Sequence, residues 1–218
     1  MEILTKEALF WQWFKENEHS YYYYHEMPES EEKDILKVLI AFKLWDYCFP
    51  LNFMITEDFY DEEKRHFIVT VDCDEKYFEQ VYNLVKYAPR DLPHWVFHAL
   101  IPPAKAYTEF YDFEYEGIIL DSRSIWFRKL VNNVSPLLFG IMIFFKDYDI
   151  YHDHEHISGA IRMLLILELG ELSFSQNVHH IDIMPLPADP EEHECRPLNE
   201  LADAIEQHLN QKVNPHRN

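Results

Sequence analysis

Apolar residues recur at helical spacing in several stretches of the chain, and each stretch predicts a helix. The pattern predicts helices that follow Thr5, Ser30 and Asp74 as N-cap residues, and two more over residues 157–169 and 198–211. The second helix contains four residues that follow one another at helical spacing: Leu36, Leu39, Ile40 and Lys43. Gly170 is expected to end the fourth helix, because glycine readily adopts the backbone conformation found after a helix C-terminus.

Short apolar runs between these helices predict strands. The runs "LNFMITED" and "RHFIVTVDC" predict a hairpin around an acidic turn, and "PLLFGIMIFFKD" is apolar on both faces, as a central strand is. Further strands are expected at "HWVFHALIPP", "GIIL", "SIWFRKL" and "VHHIDIMPLP".

The stretch "YTEFYDFEYEG" alternates, so that Tyr107, Tyr111, Phe113 and Tyr115 share one face of a strand. Tyrosine is enriched at protein interfaces, which makes Tyr107, Tyr111 and Tyr115 candidate binding residues. The alternative is that this face packs in a core.

The order of the elements favours an α+β fold, with an antiparallel or mixed β-sheet, helices packed mainly on one side, two N-terminal helices and an added C-terminal helix. A doubly wound parallel sheet is not expected, because hairpins interrupt the alternation of strands and helices. The predicted organisation is a single domain over 1–187, an acidic, proline-bounded linker over 188–197, a helix over 198–211 that packs on the domain or on a partner, and a disordered tail over 212–218.

The charge of the chain narrows its possible partners. Asp and Glu number 39 against 19 Lys and Arg, which gives a formal net charge of −20. This charge repels phosphates and anionic lipids, so neither a nucleic acid nor a membrane is an expected partner. The favoured partners are a basic protein surface or cations, and the alternative is that the acidity only keeps the protein soluble. No secretion signal is visible at the N-terminus, which favours the cytoplasm.

The glycine and cysteine patterns exclude several enzyme classes. The four glycines are too widely spaced for a phosphate-binding loop or for the nucleophile elbow of a serine hydrolase. The three cysteines form neither a C-x-x-C pair nor a disulfide framework. The sequence therefore identifies no catalytic residue and implies no cofactor.

The segment "HDHEH" raises the question of a metal site. The metalloprotease pattern H-E-x-x-H does not occur in it, and its place between a strand and a helix favours a solvated loop. A metal site formed by His152, His154 and His156 is the alternative. Further along, His180 and Asp182 share one face of a strand, a His–Asp pair without a nucleophile.

Three stretches, "FWQWFKENE", "LVKYAPRDLPHWVFHALIPP" and "LELGEL", together resemble a group of uncharacterised bacterial cytosolic proteins. Those proteins share a W-x-W-F…N-E opening helix, an A-P…W-x-F-x-A…P-P junction and a late L-G-E, and they often carry a glycine where this chain has "VDCD". The resemblance covers residues 5–185 and implies no activity, because none is assigned to the group. Asn17, Glu18 and Glu171 are its polar motif residues without an obvious core role, and they are candidate site residues.

The leading hypothesis is a non-catalytic intracellular protein-binding module, an immunity-type or regulatory partner of a basic protein. It depends on the charge, on the aromatic content of 16 % and on the failure of each catalytic signature. The alternative is a metal-dependent or histidine-based hydrolase that uses the histidine-rich segment. A third hypothesis is a domain of a larger assembly whose C-terminal helix docks on a partner subunit.

Overall fold

The fold is α+β, as the sequence predicts. A computed structural model of the chain describes residues 4–58, 60–104, 111–130 and 138–213. The chain divides into two compact units, of which the first ends at Ile101 and the second begins at Pro102. The range 1–187, expected to be a single domain, therefore contains a boundary between two compact units.

The first unit packs three helices on one face of a three-stranded sheet. Its elements are α1 (Lys6–Tyr22), α2 (Glu31–Tyr47), β1 (Asn52–Glu57), β2 (Arg65–Thr70), α3 (Phe78–Lys86) and β3 (Trp95–Ala99). β2 is the central strand; it pairs antiparallel with β1, as the predicted hairpin requires, and parallel with β3. Phe67 and Val69 of β2 join a core built from all three helices. Because side chains alternate along a strand, His66 and Ile68 point to the opposite face.

Two of the predicted N-caps in this unit are confirmed and one is wrong. The hydroxyls of Thr5 and Ser30 each accept a hydrogen bond from a backbone N–H of the following helix at 3.3 Å. Asp74 does not cap the third helix, because a 3₁₀ turn over residues 75–77 intervenes and α3 begins at Phe78. The Asp74 carboxylate instead pairs with the Lys76 ammonium at 2.7 Å.

The turn between β2 and α3 uses a backbone conformation that favours glycine. Asp72 and Cys73 have φ angles of +51° and +69°. Side chains disfavour this left-handed region, whereas glycine enters it without steric cost. This turn is the "VDCD" stretch, where the similar proteins often carry a glycine.

The second unit contains a hairpin, a four-stranded mixed sheet and four helices among its described residues. Its elements are β4 (Asp112–Tyr115), β5 (Ile118–Asp121), β6 (Ile125–Leu130), β7 (Phe139–Phe145), α4 (Tyr148–Tyr151), α5 (Ile157–Leu169), α6 (Glu171–Asn177), β8 (Val178–Pro185), β9 (Arg196–Pro197) and α7 (Leu201–Val213). The larger sheet has the order β8-β7-β6-β9, with β7 antiparallel to β6 and parallel to β8. β7 is an interior strand and nearly all of it is buried, as predicted.

Residues 188–197, expected to be a linker, are part of this second unit. They contain a 3₁₀ turn, Glu191–His193, and the strand β9, which pairs with β6. α7 packs against α5 through a buried stripe that includes Leu201 and Ile205. α7 continues to Val213, so the first two residues of the expected tail are helical, and residues 214–218 lie outside the described residues.

Candidate functional site

The histidine-rich segment is a connection between α4 and α5. The His152 ring lies parallel to the Tyr148 ring within 19°, with centroids 5.3 Å apart, and His152 Nε2 is 3.2 Å from the Asp153 carboxylate. The His154 Nδ1 atom accepts a hydrogen bond from the backbone N–H of His156 at 3.3 Å. Among the described residues, no group of three or more His, Cys, Asp or Glu side chains is placed to hold a metal ion. This arrangement gives the alternative metal site no support.

The candidate tyrosines that the structure describes pack against α5. The Tyr111 hydroxyl donates a hydrogen bond to the Glu168 carboxylate at 3.3 Å. Burial raises the pKa of Tyr111, and the negative charge of Glu168 raises it further. The Tyr115 ring lies against Gly159, where a Cβ atom would come within 3.3 Å of the ring. Tyr107 lies outside the described residues.

The three polar residues of the sequence motif lie in different environments. Asn17 is exposed, and its Nδ2 atom donates a hydrogen bond to the Trp13 carbonyl, one turn earlier in α1, at 2.8 Å. Glu171 is fully buried at the start of α6. The Glu18 carboxylate accepts a hydrogen bond from the indole Nε1–H of Trp95 at 2.8 Å. Glu18 also lines a cleft.

This cleft, of about 380 Å³, opens at the C-terminal end of α1. The described residues that line it are Glu18, His19, Tyr22, Tyr23, Glu63 and His94. The Tyr22 and Tyr23 rings of the lining are nearly perpendicular, with an interplanar angle of 85° and centroids 5.0 Å apart. The Tyr22 hydroxyl donates a hydrogen bond to the Glu63 backbone carbonyl at 2.9 Å, which fixes the position of its ring. The lining of the cleft therefore combines two acidic residues with the rings of two tyrosines and two histidines.

A buried arginine joins the segments from which this cleft is made. The Nη1 atom of Arg65 donates to the backbone carbonyls of Glu62 and Lys64 at 2.6 and 3.0 Å, and Nε donates to the Tyr22 carbonyl at 3.2 Å. Its Nη2 atom donates to the Glu26 carboxylate at 3.0 Å. The guanidinium carbon also lies 4.6 Å from the centroid of the Tyr22 ring. Arg65 thus connects the end of α1 to the turn between β1 and β2.

A second surface lies on α2, which is apolar on two opposite faces. The inner face packs Ile40 and Leu44 into the core. The outer face, together with Phe49 just beyond the C-terminal end of the helix, carries large apolar side chains that are 43–68 % exposed. We name them the outer stripe: Ile35, Val38, Leu39, Phe42, Trp45 and Phe49. Its three aromatic rings form a chain of edge contacts, with centroids 5.6 and 5.5 Å apart. A helix that is apolar all round is ordinarily buried, so the outer stripe is a candidate interaction surface.

The charges beside the outer stripe are mainly acidic. At 100° per residue around the helix axis, the exposed acids next to it are Glu31, Glu32, Asp34 and Asp46. Lys37 projects roughly 130° away from the centre of the stripe. The Lys43 ammonium lies over the Trp13 ring of α1, 5.8 Å from its centroid. The outer stripe is therefore an apolar surface with a negative rim.

A partly buried chain of hydrogen bonds lies on the sheet face opposite the aromatic core. His66 Nε2 is 2.8 Å from Asp58 Oδ2, and His66 Nδ1 is 2.7 Å from His98 Nε2. An ionised carboxylate only accepts hydrogen bonds, so His66 donates from Nε2 to Asp58. With both rings neutral, His66 Nδ1 then accepts a hydrogen bond from His98 Nε2–H. The Tyr60 backbone N–H and the His66 ring lower the pKa of Asp58. Burial, and secondly His66, lowers the pKa of His98 to about 4.

This depressed pKa predicts a loss of stability on acidification. Between pH 6.5 and pH 4 the unfolded chain protonates His98 and the folded chain does not, so the free energy of unfolding falls as the pH falls, by at most about 1.4 kcal/mol per pH unit from this residue. Replacement of His98 by glutamine should flatten the pH dependence in this window. Urea unfolding at several pH values measures the slope. The exposed-site variant His180→Gln is the control, and equal slopes for His98→Gln and the wild type would contradict the prediction.

The fold and these surfaces define an α+β protein with an exposed apolar helix face and an aromatic, acidic cleft. Comparisons with protein-family models, with curated proteins and with solved structures found no match for this chain. The resemblance of the three sequence motifs stays a prediction. Within the described ranges, every helix is too short or too polar to cross a membrane.

Proposed function

We propose that this protein is a non-catalytic intracellular protein-binding module whose outer stripe binds a basic amphipathic helix of a partner protein, in an immunity-type or regulatory role. The observation that carries the proposal is the outer stripe itself, because five large apolar side chains at helical spacing, and Phe49 just beyond the helix end, remain exposed on it. Exposed apolar area on this scale ordinarily marks a protein interface.

The dimensions of the outer stripe fit a partner helix. From Ile35 to Trp45 its helical part runs for about 15 Å at 1.5 Å per residue, which is about three helical turns. A partner helix whose apolar residues repeat at i, i+3, i+4 and i+7 presents a row of apolar side chains that can lie along it. Aromatic residues at the centre of such interfaces supply much of the binding energy, and here Phe42 and Trp45 occupy that place.

The charge of the chain selects a basic partner over a second copy. Two copies would each bring a formal charge of −20 to the interface, with acids at the rim of both stripes. A helix flanked by lysine or arginine would place opposite charges against that rim, which speeds association and favours one orientation. Complementary charge therefore supports a basic helix.

The hydrolase alternative has less support. The histidine-rich segment brings together no metal-holding group among the described residues. Asp58, His66 and His98 do form an acid–imidazole chain, but His66 is buried, and catalysis also needs a nucleophile or an activated water within reach. These hydrogen bonds can be explained by a structural role, because they hold the three side chains in position on the sheet, and no reaction is needed to explain them.

Replacement of Trp45 or Phe42 by serine tests the proposed function. The probe is a synthetic lysine- and leucine-rich amphipathic peptide of about five helical turns, and its binding is followed by fluorescence anisotropy. An aromatic hot spot contributes about 2 kcal/mol or more, so each substitution should weaken the peptide affinity about thirtyfold. Tyr82→Ser, which removes an exposed aromatic side chain from α3, should bind as the wild type does.

Two control peptides separate the contribution of the outer stripe from charge alone. A scrambled peptide of identical composition keeps the charge and loses the apolar row, and a glutamate-rich amphipathic peptide keeps the row and reverses the charge. Both should bind at least about tenfold more weakly than the basic amphipathic peptide. Equal binding of the scrambled peptide, or unchanged binding by Trp45→Ser, would overturn the proposal. A dimer in sedimentation that Trp45→Ser dissociates would show a second copy as the occupant instead.

A further inference from the structure

The cleft at the end of α1 has the chemistry of a site for an organic cation. Its described lining contains two acidic residues, Glu18 and Glu63, and neither lysine nor arginine. Its remaining walls are the rings of Tyr22, Tyr23 and two histidines. Carboxylates form charge-assisted hydrogen bonds with cations, and the faces of aromatic rings attract cations through their quadrupole.

The carboxylate of Glu18 is held in position with one oxygen available to a ligand. Its Oε2 atom accepts the hydrogen bond from the Trp95 indole at 2.8 Å, and that indole is itself buried. The Oε1 atom accepts no hydrogen bond from any described residue. Across the cleft, the Glu63 backbone carbonyl accepts a hydrogen bond from the Tyr22 hydroxyl at 2.9 Å, and His94 Nδ1 lies 3.2 Å from the same carbonyl. The walls are therefore fixed before any ligand arrives.

The same region of the first unit already stabilises one guanidinium group. Arg65 places its guanidinium 4.6 Å from the centre of the Tyr22 ring and pairs with Glu26 at 3.0 Å. Because Glu26 matches the charge of Arg65, the charges of Glu18 and Glu63 remain for a ligand. A planar guanidinium suits such a setting better than an ammonium, because it stacks on a ring and still donates in its plane to carboxylates.

We propose that this cleft binds a guanidinium cation, carried either by an arginine side chain or by a free arginine-like molecule. The cation stacks against the tyrosine rings and donates hydrogen bonds to Glu18 Oε1 and to the Glu63 carboxylate. A volume of about 380 Å³ is near the lower end of ligand cavities and suits a molecule the size of one amino acid. The site shares no residue with the outer stripe and does not depend on the proposed function.

Titration with four small probes tests this inference. The probes are acetyl-arginine amide, its neutral isostere acetyl-citrulline amide, acetyl-lysine amide and free arginine. Binding is measured by calorimetry and by the NMR shift of the Trp95 indole N–H, whose acceptor is Glu18. Acetyl-arginine amide should bind at least about tenfold more tightly than the citrulline and lysine amides. Tighter binding of free arginine than of its amide would identify a free amino acid as the source of the cation.

Charge-neutral variants show whether the two carboxylates hold the cation. Combined Glu18→Gln and Glu63→Gln substitution should weaken acetyl-arginine amide binding at least about tenfold, while the glutamine carbonyl at position 18 still accepts the Trp95 hydrogen bond. Glu16→Gln removes one negative charge from the exposed surface of α1 and should leave the affinity unchanged. Equal affinity for arginine and citrulline amides, preference for lysine amide, or full affinity in the double variant would overturn the inference.

Discussion

Replacement of Phe14 by alanine is expected to lower the free energy of unfolding by about 3–5 kcal/mol. Phe14 is fully buried, and its ring makes edge contacts with Phe67 and Trp95 at centroid distances of 4.9 and 5.1 Å. It also lies within 12° of parallel to the Tyr21 ring. The substitution removes contacts with both β2 and β3, and the rigid rings around the gap collapse poorly into it. Urea unfolding followed by circular dichroism measures the change.

Phe42→Ala is the matched control for this prediction. Phe42 also lies on a helix of the first unit, but 56 % of it is exposed, so its loss should change the free energy of unfolding by about 0.5 kcal/mol or less. The two variants thus separate a phenylalanine that stabilises the fold from one that is available to a partner. A loss below about 1 kcal/mol for Phe14→Ala would contradict the packing described for the aromatic core.

The spacing of apolar residues correctly predicted the elements in which one pattern of buried positions holds from end to end. α5 spans the predicted residues 157–169, and the hairpin of β1 and β2 and the interior position of β7 are confirmed. α2 marks the limit of this approach. Because it is apolar on two faces, spacing alone cannot tell the buried face from the exposed one, and Leu39, grouped with Ile40 by its spacing, lies on the outer stripe.

The cleft could not be predicted, because it is made by tertiary pairing. Glu18 was a candidate from the sequence, but its partners Glu63 and His94 lie far along the chain. The parallel pairing of β2 with β3 places Arg65 opposite Trp95 and so brings these segments together. Parallel neighbours leave no turn signal in a sequence. The role of β9 was missed for a related reason, since a two-residue strand is too short for a pattern.

Replacement of Arg65 by lysine is expected to lower the free energy of unfolding by about 2–4 kcal/mol, although the positive charge is kept. Arg65 is 4 % exposed and donates to three backbone carbonyls and to the Glu26 carboxylate. Lysine offers three donors at a single point and cannot reach acceptors spread around a planar fork. The carbonyls of Glu62, Lys64 and Tyr22 would therefore lose hydrogen bonds in a partly buried setting, and urea unfolding measures the loss of stability.

Arg123→Lys is the control for this prediction, because Arg123 also pairs with carboxylates but has a side chain that is 60 % exposed. Exposed ion pairs contribute little, so this variant should change the free energy of unfolding by about 0.5 kcal/mol or less. Equal effects of the two substitutions would mean that Arg65 acts through its charge alone. A larger effect at Arg65 would show that its geometry holds the end of α1 against the turn between β1 and β2. Because that junction forms the cleft, the Arg65→Lys variant should also lose the preference for acetyl-arginine amide.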